Sequence, residues 1–593
     1  MATADVAQPA IPSRSRVEPG SHDIPLGVLP RTSTSTPENP DRIASEIITK
    51  LNESIAKKDS AAVAALFLDN SYWRDHLLLS WEFRTVKGSD LLSKFVAGSA
   101  ASIKLGIDRS APHKAPHNGP IDAFGEVHGI EFFVTATTNV GSGVGVVRLA
   151  QEGSDWKIFT AFTTLRELKG YEEATGPRRP IGVQHGAYQG RTNWQDRRNA
   201  AMNYENGKEP AVMIVGAGQG GLTAAARLKM LDVDTLVIDR EERIGDSWRH
   251  RYHQLVLHDP VWYDHMPYLN FPSHWPVFTP KDKLAEFFES YVKLLELNKH
   301  WTVTVERTKE DGSKETRTFH PRHIIQATGH SGKKNMPTFK GQETFQGRLC
   351  HSSEWPGADA NSAGKKAVVI GSCNSGHDIA QDYYERGRWG EIAMKGLYDE
   401  TGPPTEDADT FLWSVPPELF KTQQAKVTRK IAEFDAKIIA GLEKAGFSVD
   451  QGPMDAGLLV KYFQRGGGYY IDVGGSQLII DGKVKVKQGQ EISEILPHGV
   501  RFADGSELEA DEIVFATGYQ NMRSQARIIF GDEIADRVGS VWGLNEEGEF
   551  RTIWSRSGHS GFWFMGGNLA LCRYYSRLLA LQIKALEAGV ATY

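Results

Sequence analysis

Two short glycine-rich strings carry the chemistry most easily read from this chain. They are Gly216-Ala217-Gly218-Gln219-Gly220-Gly221 and Gly371-Ser372-Cys373-Asn374-Ser375-Gly376, and each follows an apolar run, Ala211 to Val215 and Ala367 to Ile370. A strand that turns tightly into a helix leaves the helix's first backbone N–H groups pointing above the turn, where an anionic diphosphate suits them. In the first string Gly216 permits the turn, Gly218 lets a pyrophosphate approach the backbone, and Gly221 lets helix pack on strand. Ala217 and Gly220 belong to the same loop. The next strand, Thr235 to Ile238, ends in Asp239, 23 residues past Gly216. That is near the spacing of about twenty at which a carboxylate accepts hydrogen bonds from ribose hydroxyls. Arg240, beside it, is counted with the same site.

The elements that must hold these turns occur twice in one order: strand, glycine turn, helix, hairpin, then a strand closing in Ala-Thr-Gly. The first unit turns its hairpin at Asp311-Gly312 and closes in Ala327-Thr328-Gly329. The second turns at Asp504-Gly505 and closes in Ala516-Thr517-Gly518. Gly329 and Gly518 are therefore candidate cofactor contacts too. The expected fold class is α/β, with two Rossmann-like dinucleotide-binding domains. Cys373 stands where the second string would carry its middle glycine, adding a side chain where backbone should meet phosphate. Lys395 lies 24 residues past Gly371 and is the candidate to hold a 2′-phosphate, with Arg386 and Arg388 in reserve.

At 593 residues the chain is too long for one core. A net charge of −6 without a long basic run excludes nucleic acid as a main partner. No stretch reaches the length of uncharged apolar residues that a membrane span needs. The three cysteines, Cys350, Cys373 and Cys572, form no CxxC pair. That excludes a disulfide framework, a zinc site and a thiol-disulfide flavin reductase, and suits a reducing, cytoplasmic location.

Residues 1–40 read as a disordered tail. Residues 41–170 run from two helical stretches, with Ile47, Ile48, Leu51 and Ile55 on one face, into β-rich runs at 130–138, 143–149 and 156–165. This is a small α+β domain preceding the dinucleotide domains. With Tyr72-Trp73-Arg74-Asp75 after the second helix, its layout resembles the cone-shaped nuclear transport factor 2 and SnoaL-like fold, which suggests a scaffold or a route to homo-oligomers. Residues 171–209 read as a linker. The rest divides into 210–355 with 510–593, around the first turn, and 356–509, around the second.

The segment after the first turn adds specificity. Gly245-Asp246-Ser247-Trp248-Arg249 is followed by Leu257-His258-Asp259-Pro260, and Phe345-Gln346-Gly347-Arg348-Leu349-Cys350-His351 fits FxGxxxH, closing in Trp355-Pro356. Together these resemble the flavin-containing monooxygenases over about 210–593. The resemblance implies FAD at the first turn, with Ser247, Trp248 and Asp259 alongside it. It implies NADPH at Gly371, Ser372, Asn374, Ser375 and Gly376. It also implies insertion of one oxygen atom from O2 into a small-molecule substrate through a C4a-peroxyflavin, by N- or S-oxygenation or oxidative decarboxylation. His258 and His351 are its catalytic-site candidates, His258 near the flavin and His351 in a coupling role. Trp355 resembles the Baeyer–Villiger variant of the fingerprint, and Cys373 leaves a degenerate FAD-binding protein with weakened NADPH use as a further alternative. No metal is expected.

Overall fold

The computed structural model describes residues 20–33, 37–99, 102–182, 190–204, 208–253, 255–297, 305–308, 314–329, 332–358, 362, 364–382 and 396–593. The N-terminal part begins with α1 (Pro40–Ala56), capped by the Asn39 side chain, and α2 (Ser60–Ala65), capped by Asp59. Then come β1 (Phe67–His76), β2 (Phe83–Lys87), α3 (Ser89–Gly98), β3 (Lys104–Ile107), β4 (His117–Pro120), β5 (His128–Thr137), β6 (Gly141–Glu152) and β7 (Asp155–Leu168). These strands form one seven-stranded sheet, ordered β2-β1-β7-β6-β5-β3, with β4 also on β5. The β1–β7 pair is parallel and the other pairs are antiparallel.

Residues 20–33 do not behave as the expected tail. Ile24 is buried, Lys421 Nζ donates to Asp23 and to the Ile24 carbonyl, and Gly27 N–H donates to the Glu418 carbonyl. The expected linker holds a helix, α4 (Trp194–Met202), capped by Asn193.

The first glycine turn lies in a four-stranded parallel sheet. It contains β8 (Val212–Val215), followed by α5 (Gln219–Met230), and β9 (Thr235–Ile238). α6 (Asp246–Arg249), α7 (Lys281–Leu294) and the antiparallel pair β10 (Val305–Thr308) and β11 (Lys314–Arg317) lead to β12 (His323–Gln326). Much later β19 (Phe562–Phe564) adds the edge, giving β19-β12-β8-β9. The buried runs Val212–Ile214 and Thr235–Ile238 are apolar on both faces, as a sheet covered by helices requires.

The second turn lies in a three-stranded parallel sheet, with β13 (Arg348–His351) and β14 (Ala367–Ile370) on either side of β18 (Glu512–Phe515). The expected boundaries at 355 and 510 put β13 and β18 in the first domain; their ladders put them in the second. β14 leads into α8 (Asn374–Asp382). Five helices follow: α9 (Thr405–Trp413), α10 (Pro417–Phe434), α11 (Ala436–Lys444), α12 (Gly457–Arg465) and α13 (Gly475–Ile480). The antiparallel β15 (Ile492–Leu496), β16 (Gly499–Phe502) and β17 (Glu507–Glu509) precede β18, turning at Asp504-Gly505 as expected. α14 (Met522–Phe530), α15 (Asp532–Arg537) and α16 (Leu569–Glu587) complete the chain, α16 packing along α5 and beneath β7. The Asp311-Gly312 turn and Lys395, Arg386 and Arg388 lie outside the described residues.

Candidate functional site: two dinucleotide turns and their junction

Gly216 has φ +112°, and a Cβ there would stand 2.3 Å from the Ala327 carbonyl oxygen. The first unit's Ala-Thr-Gly thus presses on its own glycine turn. A Cβ on Gly221 would be 1.9 Å from the Gly216 carbonyl oxygen, so helix and strand meet backbone to backbone. Gly218 is different. It caps α5 with no side-chain hydrogen bond, and a Cβ there would find only Ser247 Oγ, at 3.9 Å. The space above the helix start is therefore open, while the glycines beneath it are locked. Asp239 accepts from the Ala217 and Glu241 N–H groups, which holds its carboxylate at the rim of that space. Trp248 Nε1 donates to Gln219 at 3.4 Å and Arg251 lies 4.9 Å over the indole ring. Arg240 is almost fully exposed and pairs with Glu241 at 3.1 Å. These residues fit the pyrophosphate and ribose of FAD.

The second turn repeats the lock. Gly371 has φ +119° with a prospective Cβ 2.3 Å from the Ala516 carbonyl oxygen, and Gly376 would meet the Gly371 carbonyl oxygen at 2.1 Å. Ser372 is exposed at its mouth and Ser375 is half-buried. Cys373 is half-buried beside Lys461 and Arg465, and burial raises its thiol pKa. Asn374 accepts from Ile471 N–H at 2.8 Å, so the loop after α12 lies across the turn.

His351 is fixed within the second unit. Its Nε2 lies 3.0 Å from the Gly518 carbonyl, so that nitrogen carries the proton and donates; Nδ1 then accepts from the Ser353 N–H. Burial lowers its pKa. This neutral, doubly bonded imidazole ties β13 to the end of β18, and its ring lies edge-on to Tyr519 at 5.1 Å. His258 is half-buried, with Nε2 4.0 Å from Asp378 Oδ2, and the Tyr252 hydroxyl donates to the same oxygen. The FAD-side loop therefore meets α8 of the second unit through one carboxylate, which burial holds above the usual range. Trp355 is buried against Tyr252, Ile379 and Val514.

Asp259 accepts from Asn568 Nδ2 at 3.2 Å, and the other end of that side chain caps α16. Burial raises the Asp259 pKa. Three groups here were not singled out from sequence. Asp264 is 1% exposed, neither of its carboxyl oxygens accepts a hydrogen bond among the described residues, and burial pushes it well above the usual carboxylate range. Arg573 grips Asp409 in a buried two-point pair at 2.8 and 2.6 Å and donates to the Tyr263 and His265 carbonyls. Tyr469 and Tyr470 approach from the insert. No local pattern marks any of them, because each gains its role from a distant segment.

The N-terminal sheet is seated on this assembly. Along β1 the side chains alternate. Trp73 and Asp75 face inward, where Thr163 Oγ accepts from Trp73 Nε1 and donates to Asp75. Tyr72, Arg74 and His76 face the other half. Tyr72 donates to Glu418, Arg74 makes a fully buried two-point pair with Glu549 at 2.7 and 2.8 Å, and His76 Nδ1 lies 2.8 Å from the Tyr574 hydroxyl. Asp75 and His76 therefore point to opposite faces and cannot act as an acid–base pair.

Among known proteins, residues 213–408 match the family described as pyridine nucleotide-disulphide oxidoreductase. The chain is 29% identical over 327 residues to indole-3-pyruvate monooxygenase YUCCA1 of Oryza sativa subsp. japonica, covering 53% of this chain and 77% of that protein. It is 28% identical over 328 residues to the probable indole-3-pyruvate monooxygenase YUCCA3 of Arabidopsis thaliana, covering 52% and 73%. Among solved structures it resembles a flavin-containing monooxygenase from Stenotrophomonas maltophilia, with TM-score 0.41, 19% identity and coverage of 64% and 99%. It also resembles an ε-caprolactone-bound cyclohexanone monooxygenase, with TM-score 0.44, 16% identity and coverage of 64% and 88%. Fold and site define a flavoprotein oxidoreductase with two dinucleotide domains. Within that class the chain is similar, over about half of its length, to proteins named as monooxygenases. Among the described residues no helix is long and apolar enough to cross a membrane.

Proposed function

We propose that the chain inserts one oxygen atom from O2 into a small organic substrate, with FAD at the Gly216–Gly221 turn and NADPH at the Gly371–Gly376 turn. The observation that carries this reading is the pair of locked glycine turns, with the FAD-side loop joined to the second unit at Asp378 through Tyr252 and His258. The bound flavin supplies hydride acceptance and oxygen activation. The protein's part is placement. The start of α5 holds the diphosphate, Asp239 the ribose, and Ser247 and Trp248 line the cofactor. Asn568, held by Asp259, and His258, held toward Asp378, are polar groups near where the two units meet. His351 acts as a positioning residue that ties β13 to the end of β18 within the second unit, and Trp355 packs that unit against Tyr252 of the FAD-side loop. The three cysteines are free and none stands beside another, so thiol–disulfide chemistry has no reactant here.

A 2-oxo acid is the first substrate class to test, because relatives named indole-3-pyruvate monooxygenases align with this half; N and S nucleophiles come next. The Trp355-Pro356 ending supports a cyclic ketone as the second reading, with a lactone as product. Residues 41–170 serve in this reading as a scaffold of the nuclear transport factor 2 type. A cytoplasmic location fits the unpaired cysteines.

The test is anaerobic addition of NADPH to the purified flavoprotein, followed by O2 and each substrate class, with products read by mass spectrometry. Bleaching of the visible flavin band, and a product heavier by one oxygen or lighter by CO2, support the proposal. A flavin that NADPH never bleaches overturns it in favour of a degenerate FAD-binding protein.

A further inference from the structure

The segment between α12 and α13 lies on the mouth of the second turn. α12 ends at Gly466, whose φ of +71° makes it a left-handed cap, and its N–H donates to the Tyr462 carbonyl at 2.7 Å. Gly467 and Gly468 follow, the latter at φ +92°. From there Tyr469, Tyr470 and Ile471 run along the first turns of α8. Asn374 N–H donates to the Tyr469 carbonyl at 3.0 Å, and Asn374 Oδ1 accepts from the Ile471 N–H at 2.8 Å. The Tyr470 ring lies flat on the His377 ring, with centroids 3.6 Å apart and planes 7° from parallel. Gln381 Nε2 donates to the Val473 carbonyl at 2.9 Å. Asp472 then caps α13 by accepting from the Gly474 and Ser476 N–H groups, and Gly474 sits at φ +117°.

The Asn374 N–H belongs to the first turn of α8, and donors at that point are the ones a dinucleotide pyrophosphate uses. Here a neutral backbone carbonyl takes it. We propose that residues 467–473 form a self-capping strap that competes with the pyrophosphate of NADPH for the start of α8, so that binding at the second turn requires the strap to swing away. This rests on the reading of that turn as the NADPH site. Charge-assisted hydrogen bonds to phosphate are roughly twice as strong as neutral ones, so the dinucleotide displaces the carbonyl once it is concentrated enough. The glycines at both ends supply the backbone freedom, and the Tyr470–His377 stack supplies the closing force. Apparent affinity is then the intrinsic affinity multiplied by the open fraction.

The test uses the FAD-loaded protein and NADP+, with hydrogen exchange over residues 466–475 and binding calorimetry on the wild type and on Tyr470→Ala. Faster exchange of that segment on adding NADP+, with an affinity about 3–10-fold tighter in Tyr470→Ala, is the expected result. Binding by Tyr470→Ala but not by wild type supports the strap equally. NADP+ binding that leaves exchange unchanged or slows it, with weaker binding by Tyr470→Ala, overturns the strap and makes Tyr470 a ligand contact. If neither protein binds NADP+ at millimolar concentration, the second turn is not a dinucleotide site and the strap falls with it.

Discussion

A methyl group on Gly216 has nowhere to go. The backbone there is left-handed, and the nearest atom is a carbonyl oxygen fixed by the parallel register of β8 and β12. Strain in that region costs about 1–3 kcal/mol before the clash is counted. Gly216→Ala is expected to fold poorly or emerge without bound FAD, read from the ratio of visible to ultraviolet absorbance. Gly153→Ala is the control: it sits at the β6–β7 hairpin tip with φ +63° and open space, so it should keep its flavin.

At the scale of the element, β1 holds two titrating groups on opposite faces whose effects oppose each other. Burial raises Asp75 from 3.8 to about 7 and lowers His76 from 6.5 to about 4. The folded chain keeps the Asp75 proton that the unfolded chain releases between pH 3.8 and about 7, so this group's contribution falls as pH rises. His76 does the reverse: its contribution is complete above pH 6.5 and is lost as pH falls toward 4. In Asp75→Asn the amide can accept from Leu79 N–H and donate to Thr163, which now donates to Asp75. That variant should gain on the order of 3 kcal/mol at pH 8 and little at pH 4, leaving a stability that rises with pH, as measured by denaturant titration. Arg74 is a different case. Arg74→Ala leaves the Glu549 carboxylate buried with Thr85 and His76 beside it and no guanidinium to pair with, which costs about 3–5 kcal/mol. A fall in Tm of at least several degrees is the expected reading.

The two halves are expected to unfold as one cooperative body, because ion pairs and chain segments tie them together. Ion pairs cross the seam at the buried Arg74–Glu549, the half-buried Arg84–Glu547 and the exposed Lys87 with Glu418, and residues 20–33 strap α10 from the N-terminal side. Expression of residues 208–593 alone uncovers Glu549, Tyr574 and the β7-facing side of α16. That fragment is expected to aggregate or to lose bound FAD, whereas a stable, flavin-loaded fragment would show the sheet to be dispensable.

The glycine strings and the FxGxxxH fingerprint were legible because a few consecutive backbone positions set their spacing, and Asp239 and the first Ala-Thr-Gly because each ends a strand that pairs beside the turn. A tight turn into a helix demands particular residues at consecutive positions, whatever surrounds it. The α/β class followed from the same local patterns, as did the hairpin at residue 504 and the strands β5, β6 and β7 of the N-terminal sheet, whereas β1 to β4 were not read from sequence. What only the tertiary structure decided are the meetings of distant segments. These are the β13–β18 pairing that moved two domain boundaries, the split of Asp75 and His76 between faces, and the Tyr469–Ile471 strap on α8. The buried pairs at Glu549 and Asp409 belong with them. A charged or aromatic residue has no fixed role along the chain; its partner, lying up to several hundred residues away, assigns one only when folding removes both from water.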